Sequence, residues 1–258
     1  MVAFALHMHM SLHMSMTSRM NRVMILSFRR PHRAPRSVAL RRSVFLLLGA
    51  ALILGASGKP LRADQQCVVV DDFGKAAVGE FPAGWKGRKD SAKDVYKVAE
   101  EGGRRFLRAD ARDVGVQAGK QFEWSLTEYP VLAWSWRPQE FPKGADERTG
   151  RNDSALAVYA VFPHTSMSVK SVKYIWSATV PKGTHIPQSR GNTQGVVARQ
   201  GGEPGAWVEE RVNVLEDYKR YFKTSDVPKP EGIAVLTDSD DTSSRARGDY
   251  ASFRVCRG

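Results

Sequence analysis

Acidic residues are missing from the first 63 positions, which hold ten Lys and Arg and no Asp or Glu. A folded surface intersperses both signs of charge, so this one-sided composition excludes the segment from the globular domain. Long apolar runs are missing too. The most hydrophobic stretch, Val44 to Ala56 (VFLLLGAALILGA), has 13 residues, which is the length of a signal-peptide core and too short to cross a bilayer. Residues 1–63 therefore read as a cleavable targeting segment cut after or near Ala63, and an internal start at Met20 or Met24 would give it ordinary proportions. Arg41-Arg42-Ser43-Val44-Phe45 is similar to a twin-arginine export signal. A lipoprotein anchor is disfavoured, because Asp64-Gln65-Gln66 stand before Cys67 where small apolar residues are needed. The expected product is periplasmic or secreted, with no stable membrane anchor after cleavage.

Net basic charge is absent once the leader is removed. The whole chain has 39 Lys and Arg against 27 Asp and Glu, but residues 64–258 have 29 against 27. Nothing then predicts a nucleic-acid partner, which requires basic residues clustered on one face. The remaining 195 residues suit a single domain, 64–258, long enough to bury a core.

Cysteine is scarce: Cys67 and Cys256 stand at the two ends of the mature chain. In an exported protein two cysteines are most simply one disulfide, which removes both as nucleophiles. Histidine is scarce as well, with only His164 and His185 after the leader, and neither HExxH nor GxSxG occurs. Zinc-protease and nucleophile-elbow chemistry are thereby unsupported, and both histidines read as loop residues. Glu209 and Glu210 are adjacent, so on a strand they point to opposite faces and cannot flank one glycosidic bond.

Short β-rich runs fill the rest, including Val95 to Glu100, Arg104 to Asp110, Gln117 to Trp124, Val131 to Trp136, Ala155 to Phe162, Ser171 to Val180 and Gly232 to Thr237. Period-2 alternation puts Leu132, Trp134 and Trp136 on one face and Ala133, Ser135 and Arg137 on the other. The pattern predicts an all-β, jelly-roll-like antiparallel β-sandwich. One short helix interrupts it, Val214 to Phe222 capped by Asn213, placed to plug one end. Trp134 and Trp136 read as core. Trp85, Trp124 and Trp207 lie near turns and are the candidates for exposure and ligand contact. Asp238, Asp240 and Asp241 crowd one turn, where they should cap backbone N–H groups while Arg245 or Arg247 offsets their charge. No other cofactor is expected, and Ca²⁺ is the metal these three carboxylates would take, although the twelve-residue calcium loop is absent.

Several motifs fall in a recognisable order: Gly84-Trp85, FLRAD at Phe106 to Asp110, LAWSW at Leu132 to Trp136, and Asp153 ahead of VYAVF at Val158 to Phe162. YIWS at Tyr174 to Ser177, GAWVEERVNVLEDYKRYF at Gly205 to Phe222 and GIAVLTDSDDT at Gly232 to Thr242 follow. In these the chain resembles the bacterial domain of unknown function numbered 3047, over essentially all of the mature sequence. It departs at Pro187 to Gly191, which replaces an Asn-Pro turn, and at Ala157, where the family carries Arg. The resemblance implies an exported β-sandwich similar in outline to carbohydrate-binding jelly rolls, with no established activity. Three functions follow, in descending rank. A glycan- or envelope-polymer-binding module would expose aromatics over a groove edged by Asp153 or Asp238 to Asp241. A structural or interaction protein of the envelope would bury all six tryptophans and lack a polar cleft. A polysaccharide-cleaving enzyme would converge carboxylates, or a His with a basic residue, in the groove.

Overall fold

A computed structural model describes residues 66–258 except Met167; the expected targeting segment, its arginine pair and the Ala63 cleavage position lie outside the described residues. In chain order the elements are β1 (Cys67–Asp71), β2 (Trp85–Gly87), α1 (Ala92–Val95), β3 (Tyr96–Glu101), β4 (Arg104–Arg112), β5 (Gly115–Gln121) and β6 (Val131–Glu140). Then come β7 (Leu156–Thr165), β8 (Ser168–Ser177), β9 (His185–Gln188), β10 (Thr193–Gln200), β11 (Val208–Asn213), α2 (Val214–Phe222), β12 (Gly232–Asp238) and β13 (Arg245–Cys256). They form a jelly-roll-like sandwich. One sheet runs β11-β6-β13-β4-β3 with β1 added beside β13, and the other runs β2-β5-β12-β7-β8-β10-β9.

Alternation decides which side of each strand enters the sandwich. Trp134 and Trp136 face inward with 0% exposure. There they meet the inward face of β8, with Trp134 and Tyr174 centroids 5.7 Å apart and Trp136 and Trp176 5.2 Å apart. Both ring pairs are tilted, at 41° and 57°, between the stacked and edge-on arrangements. Two tyrosine hydroxyls from the six-stranded sheet cross the core to the other sheet. Tyr96 donates to the Val116 carbonyl (2.8 Å) and accepts from the Thr237 N–H (2.9 Å). Tyr250 donates to the Leu236 carbonyl (2.7 Å) and accepts from the Ala157 N–H (3.2 Å). Burial raises the pKa of both, so both stay protonated as donors.

The sheets are not wholly antiparallel. The chain leaves β8 at Ser177, crosses over and returns as β10 in the same direction, Thr193 beside Ser171 and Val196 beside Tyr174. Sequence alternation does not encode strand direction, so this crossover was invisible to it. A second helix, the single turn α1, also goes beyond the one expected. The expected α2 forms with the predicted limits, its Asn213 side chain accepting the Glu216 N–H at 3.0 Å. Tyr218 packs 4.4 Å from Phe162, and the Tyr174 hydroxyl donates to Asp217 (2.9 Å). His164 lies on β7 and His185 on β9, so neither is a loop residue; His185 is stacked 4.5 Å from Tyr221.

Cys67 pairs with Cys256 in the β1/β13 register and the two are disulfide-bonded, 189 positions apart in sequence. A loop of that length restricts the unfolded chain by about 5 kcal/mol in the entropic account. Reduction should therefore lower the thermal midpoint by several degrees or more. Melts of the same protein with and without a reductant check this, and coincident curves would show that the terminal strands are held by other contacts alone.

Candidate functional site

The outward face of the seven-stranded sheet carries the candidate site, and register builds it row by row. Directly opposed residues share a face, so Gly119, Ala234, Tyr159, Lys173 and Gly195 form one row across β5, β12, β7, β8 and β10. The next row is Gln117, Leu236, Ala157 and Ile175, and Gly115 faces Asp238 beyond it. The β5 side of this floor has little or no side chain. Three adjoining depressions of about 360, 340 and 680 Å³ open there, all bounded by Arg88 and Gln117. Ser171, Gln188, Asn192 and Thr193 wall the largest. Asp238 and Asp240 close one end, and Glu231 stands at the opposite end of β12. Gln117, Ser171, Gln188, Asn192 and Thr193 bring neutral hydrogen-bonding groups to the groove, while Lys86, Arg88, Lys89 and Lys120 with Glu231, Asp238 and Asp240 put charge of both signs on its walls.

Charge is buried under this surface. Lys173 is 1% exposed, hydrogen-bonded to Gln188 Oε1 at 3.4 Å and 5.8 Å from the Tyr159 ring centre. Glu147, from the segment before β7, accepts from Ser177 (2.6 Å) and Ser154 (3.4 Å), and burial raises its pKa. Asp238 is pushed up to about 7, first by burial and then by its hydrogen bond and repulsion with Asp240; the Asp153 charge adds to this and Lys173 opposes it. Its Oδ1 is buried with no hydrogen-bond partner. Gly115 makes room for that oxygen, since a Cβ there would sit 2.1 Å from it.

The acidic turn is capped, but not as its sequence suggested. Asp153, completely buried, accepts the Asp241 N–H (3.1 Å), the Thr242 N–H (2.8 Å) and the Thr242 hydroxyl. A residue 88 positions away thus does what Asp238, Asp240 and Asp241 were expected to do for themselves. Arg245 and Arg247 do not offset the turn; both are drawn to Asp110, Arg245 at 2.6 Å. Among the described residues, the acidic side chains close enough to share a cation are Asp153, Asp240 and Asp241, their oxygens within 4.8 Å; Asp238 stands outside that trio. Asp153 already spends both oxygens on the turn.

The tryptophan candidates need correcting. Trp85 is 5% exposed: its Nε1 donates to Asp71 (2.8 Å), and its ring packs on Phe73 and Phe253. Trp124, beyond the end of β5, is 4% exposed and lies against Phe122. Trp207 is half-buried, on the outer face of the six-stranded sheet and not in the groove. Proximity to a turn misled because connections fold back over sheet ends and bury what they carry. Glu209 and Glu210 do diverge, to Arg254 (3.0 Å) and Arg199 (2.6 Å). Tyr159, Lys173, Glu147, Gln117 and Arg88 were missed. The available signal was Lys173 itself, a charge inside the apolar run SVKYIWS on the face opposite Tyr174 and Trp176.

A model of one protein family matches residues 83–254, and its description is "Protein of unknown function (DUF3047)". The chain belongs to that family. No curated protein matches. Among solved structures, the chain is similar to the family 11 carbohydrate-binding module of a cellulosomal cellulase of Clostridium thermocellum (8% identity, TM-score 0.39, 74% of this chain and 95% of that one). It is similar to the xyloglucanase domain of a Sinorhizobium fredii effector (8%, 0.39, 74% and 98%) and to a mannan-recognising carbohydrate-binding module (13%, 0.33, 75% and 99%).

Asp238 gives that groove a pH signature. An unfolded Asp ionises near ~4, whereas folded Asp238 keeps its proton to about 7. Between those values the folded state binds more protons than the unfolded one, so stability falls as pH rises and levels off above 7. Asp238→Asn removes this slope, at most ~1.4 kcal/mol per pH unit. Urea unfolding at pH 5, 6.5 and 8 should show the variant losing less stability across the series than wild type; parallel curves would place the Asp238 proton elsewhere.

Proposed function

We propose that this is an exported, periplasmic or secreted glycan- or envelope-polymer-binding protein, and that the polymer lies in the groove of the seven-stranded sheet. One observation carries the reading. Small residues leave the β5 side of the floor open, while Gln117, Ser171, Gln188, Asn192, Thr193 and Arg88 offer donors and acceptors along its length. A sugar chain presents hydroxyls at regular intervals and needs such a series of partners, each worth about 0.5–1.5 kcal/mol. Among the described residues no exposed tryptophan lines the floor; Tyr159 is an aromatic there, but it is itself only 5% exposed. A polar groove and a half-buried Trp207 argue against a purely structural role.

A second reading, glycan cleavage, is favoured by Asp238, a carboxyl that holds its proton to near neutrality in the groove wall. Affinity electrophoresis against soluble neutral β-glucan, mannan and peptidoglycan fragments tests binding, and release of new chain ends from the same polymers tests cleavage. Retardation by at least one polymer is expected, weakened about ten-fold by Arg88→Ala with Gln117→Ala. Migration unchanged by every polymer, with no cleavage, would remove the groove reading.

A further inference from the structure

The outer face of the six-stranded sheet gathers charge independently of the groove. Arg104 and Arg137 stand over the Trp207 ring at 4.3 and 4.6 Å, and Phe106 meets that ring edge-on at 5.4 Å. Most of the neighbouring charges are paired. Arg137 is bound by Asp249 (2.7 Å) and Glu101, Arg108 by Asp249 (3.2 Å), and Arg254 by Glu209 (3.0 Å). Arg104 differs. Its one hydrogen bond runs to the Ser252 hydroxyl (3.2 Å), and among the described residues it makes no ion pair. Burial and the Arg137 and Arg254 charges press its pKa down, with Glu209 opposing. A guanidinium repelled by two others is held there by stacking and by the fold, not by a counterion.

The backbone beneath it is irregular. Ser252 has φ +56° and lies in a bulge, where the β13/β6 register jumps between Ala251 and Arg254. Bulges re-aim side chains, and non-glycine residues at positive φ concentrate at binding sites. Here the extra residues let Phe253 stay in the core while the Ser252 hydroxyl reaches Arg104.

We propose that Arg104, with Ser252 beside it and Trp207 positioning it, binds a carboxylate group of an acidic saccharide. Four of the five guanidinium N–H donors are unspent, and the planar fork matches a planar carboxylate in two parallel hydrogen bonds, which a lysine cannot reproduce. The choice of a saccharide rests on the glycan reading above; the carboxylate subsite itself lies on the other sheet and does not depend on the groove.

Calorimetric titration of the mature protein with tetragalacturonate, cellotetraose and inorganic phosphate tests it. Tetragalacturonate is expected to bind with an affinity that falls with salt and drops about ten-fold or more in Arg104→Gln. Arg104→Lys, which keeps the charge, should lose most of that affinity and guards against a fold defect in the first variant, with thermal melts recorded for both. Arg88→Ala should leave the Arg104-dependent loss unchanged, which separates this subsite from the groove. Equal affinity in wild type and both variants overturns the proposal. So does phosphate that competes as well as tetragalacturonate, since any oxyanion would then serve, or cellotetraose that binds with the same Arg104 dependence.

Discussion

The two sheets are tied at the backbone by the Tyr96 and Tyr250 hydroxyls, and the groove depends on those ties. β7 and β12 stop pairing at Ala157 and Leu236. Where the ladder ends, Tyr250 serves the Ala157 N–H and the Leu236 carbonyl, and Tyr96 serves the Thr237 N–H. Buried backbone groups without partners cost about as much as lost hydrogen bonds, so these phenols make the separation tolerable. It is at this point that β12 continues to Asp238, beside Gly115 on β5.

The same region gathers the like charges of the fold. Asp153, Asp238, Asp240 and Asp241 meet at one corner, and the arginines near them in sequence are held by Asp110 instead. Neutralisation falls to a proton on Asp238, to Lys173 under the floor and to the N–H groups on Asp153. Burial and the Asp240 carboxylate hold the Asp238 carboxyl above the usual carboxylate range, so this corner carries less negative charge than its four acids would suggest.

The two outer faces offer different chemistry because different side chains were turned outward. On the seven-stranded sheet the outward row includes Gly119 and Ala234, and space is left at its β5 side. On the six-stranded sheet it includes Phe106, Arg108, Arg137 and Asp249, and the space is filled by charge and by Trp207.

Local pattern was enough for the class of fold and for several of its parts. Alternation in LAWSW placed Trp134 and Trp136 inside and Arg137 outside, because the period of two is a property of the extended backbone. Asn213 marked the start of α2, because a cap acts within one turn, and the two cysteines, Cys67 and Cys256, paired with each other. What lay beyond local pattern was decided by which distant segments met. Asp153 caps a turn 88 residues on, Arg245 turns to Asp110, and Trp85 is sealed by Phe73 and Phe253. The groove row from Gly119 to Gly195 draws on five strands, and its order is set by register across the sheet. Sequence periodicity fixes which side a residue faces; only the tertiary fold decides what it faces, because burial, pairing and charge compensation are made between chain segments far apart in number.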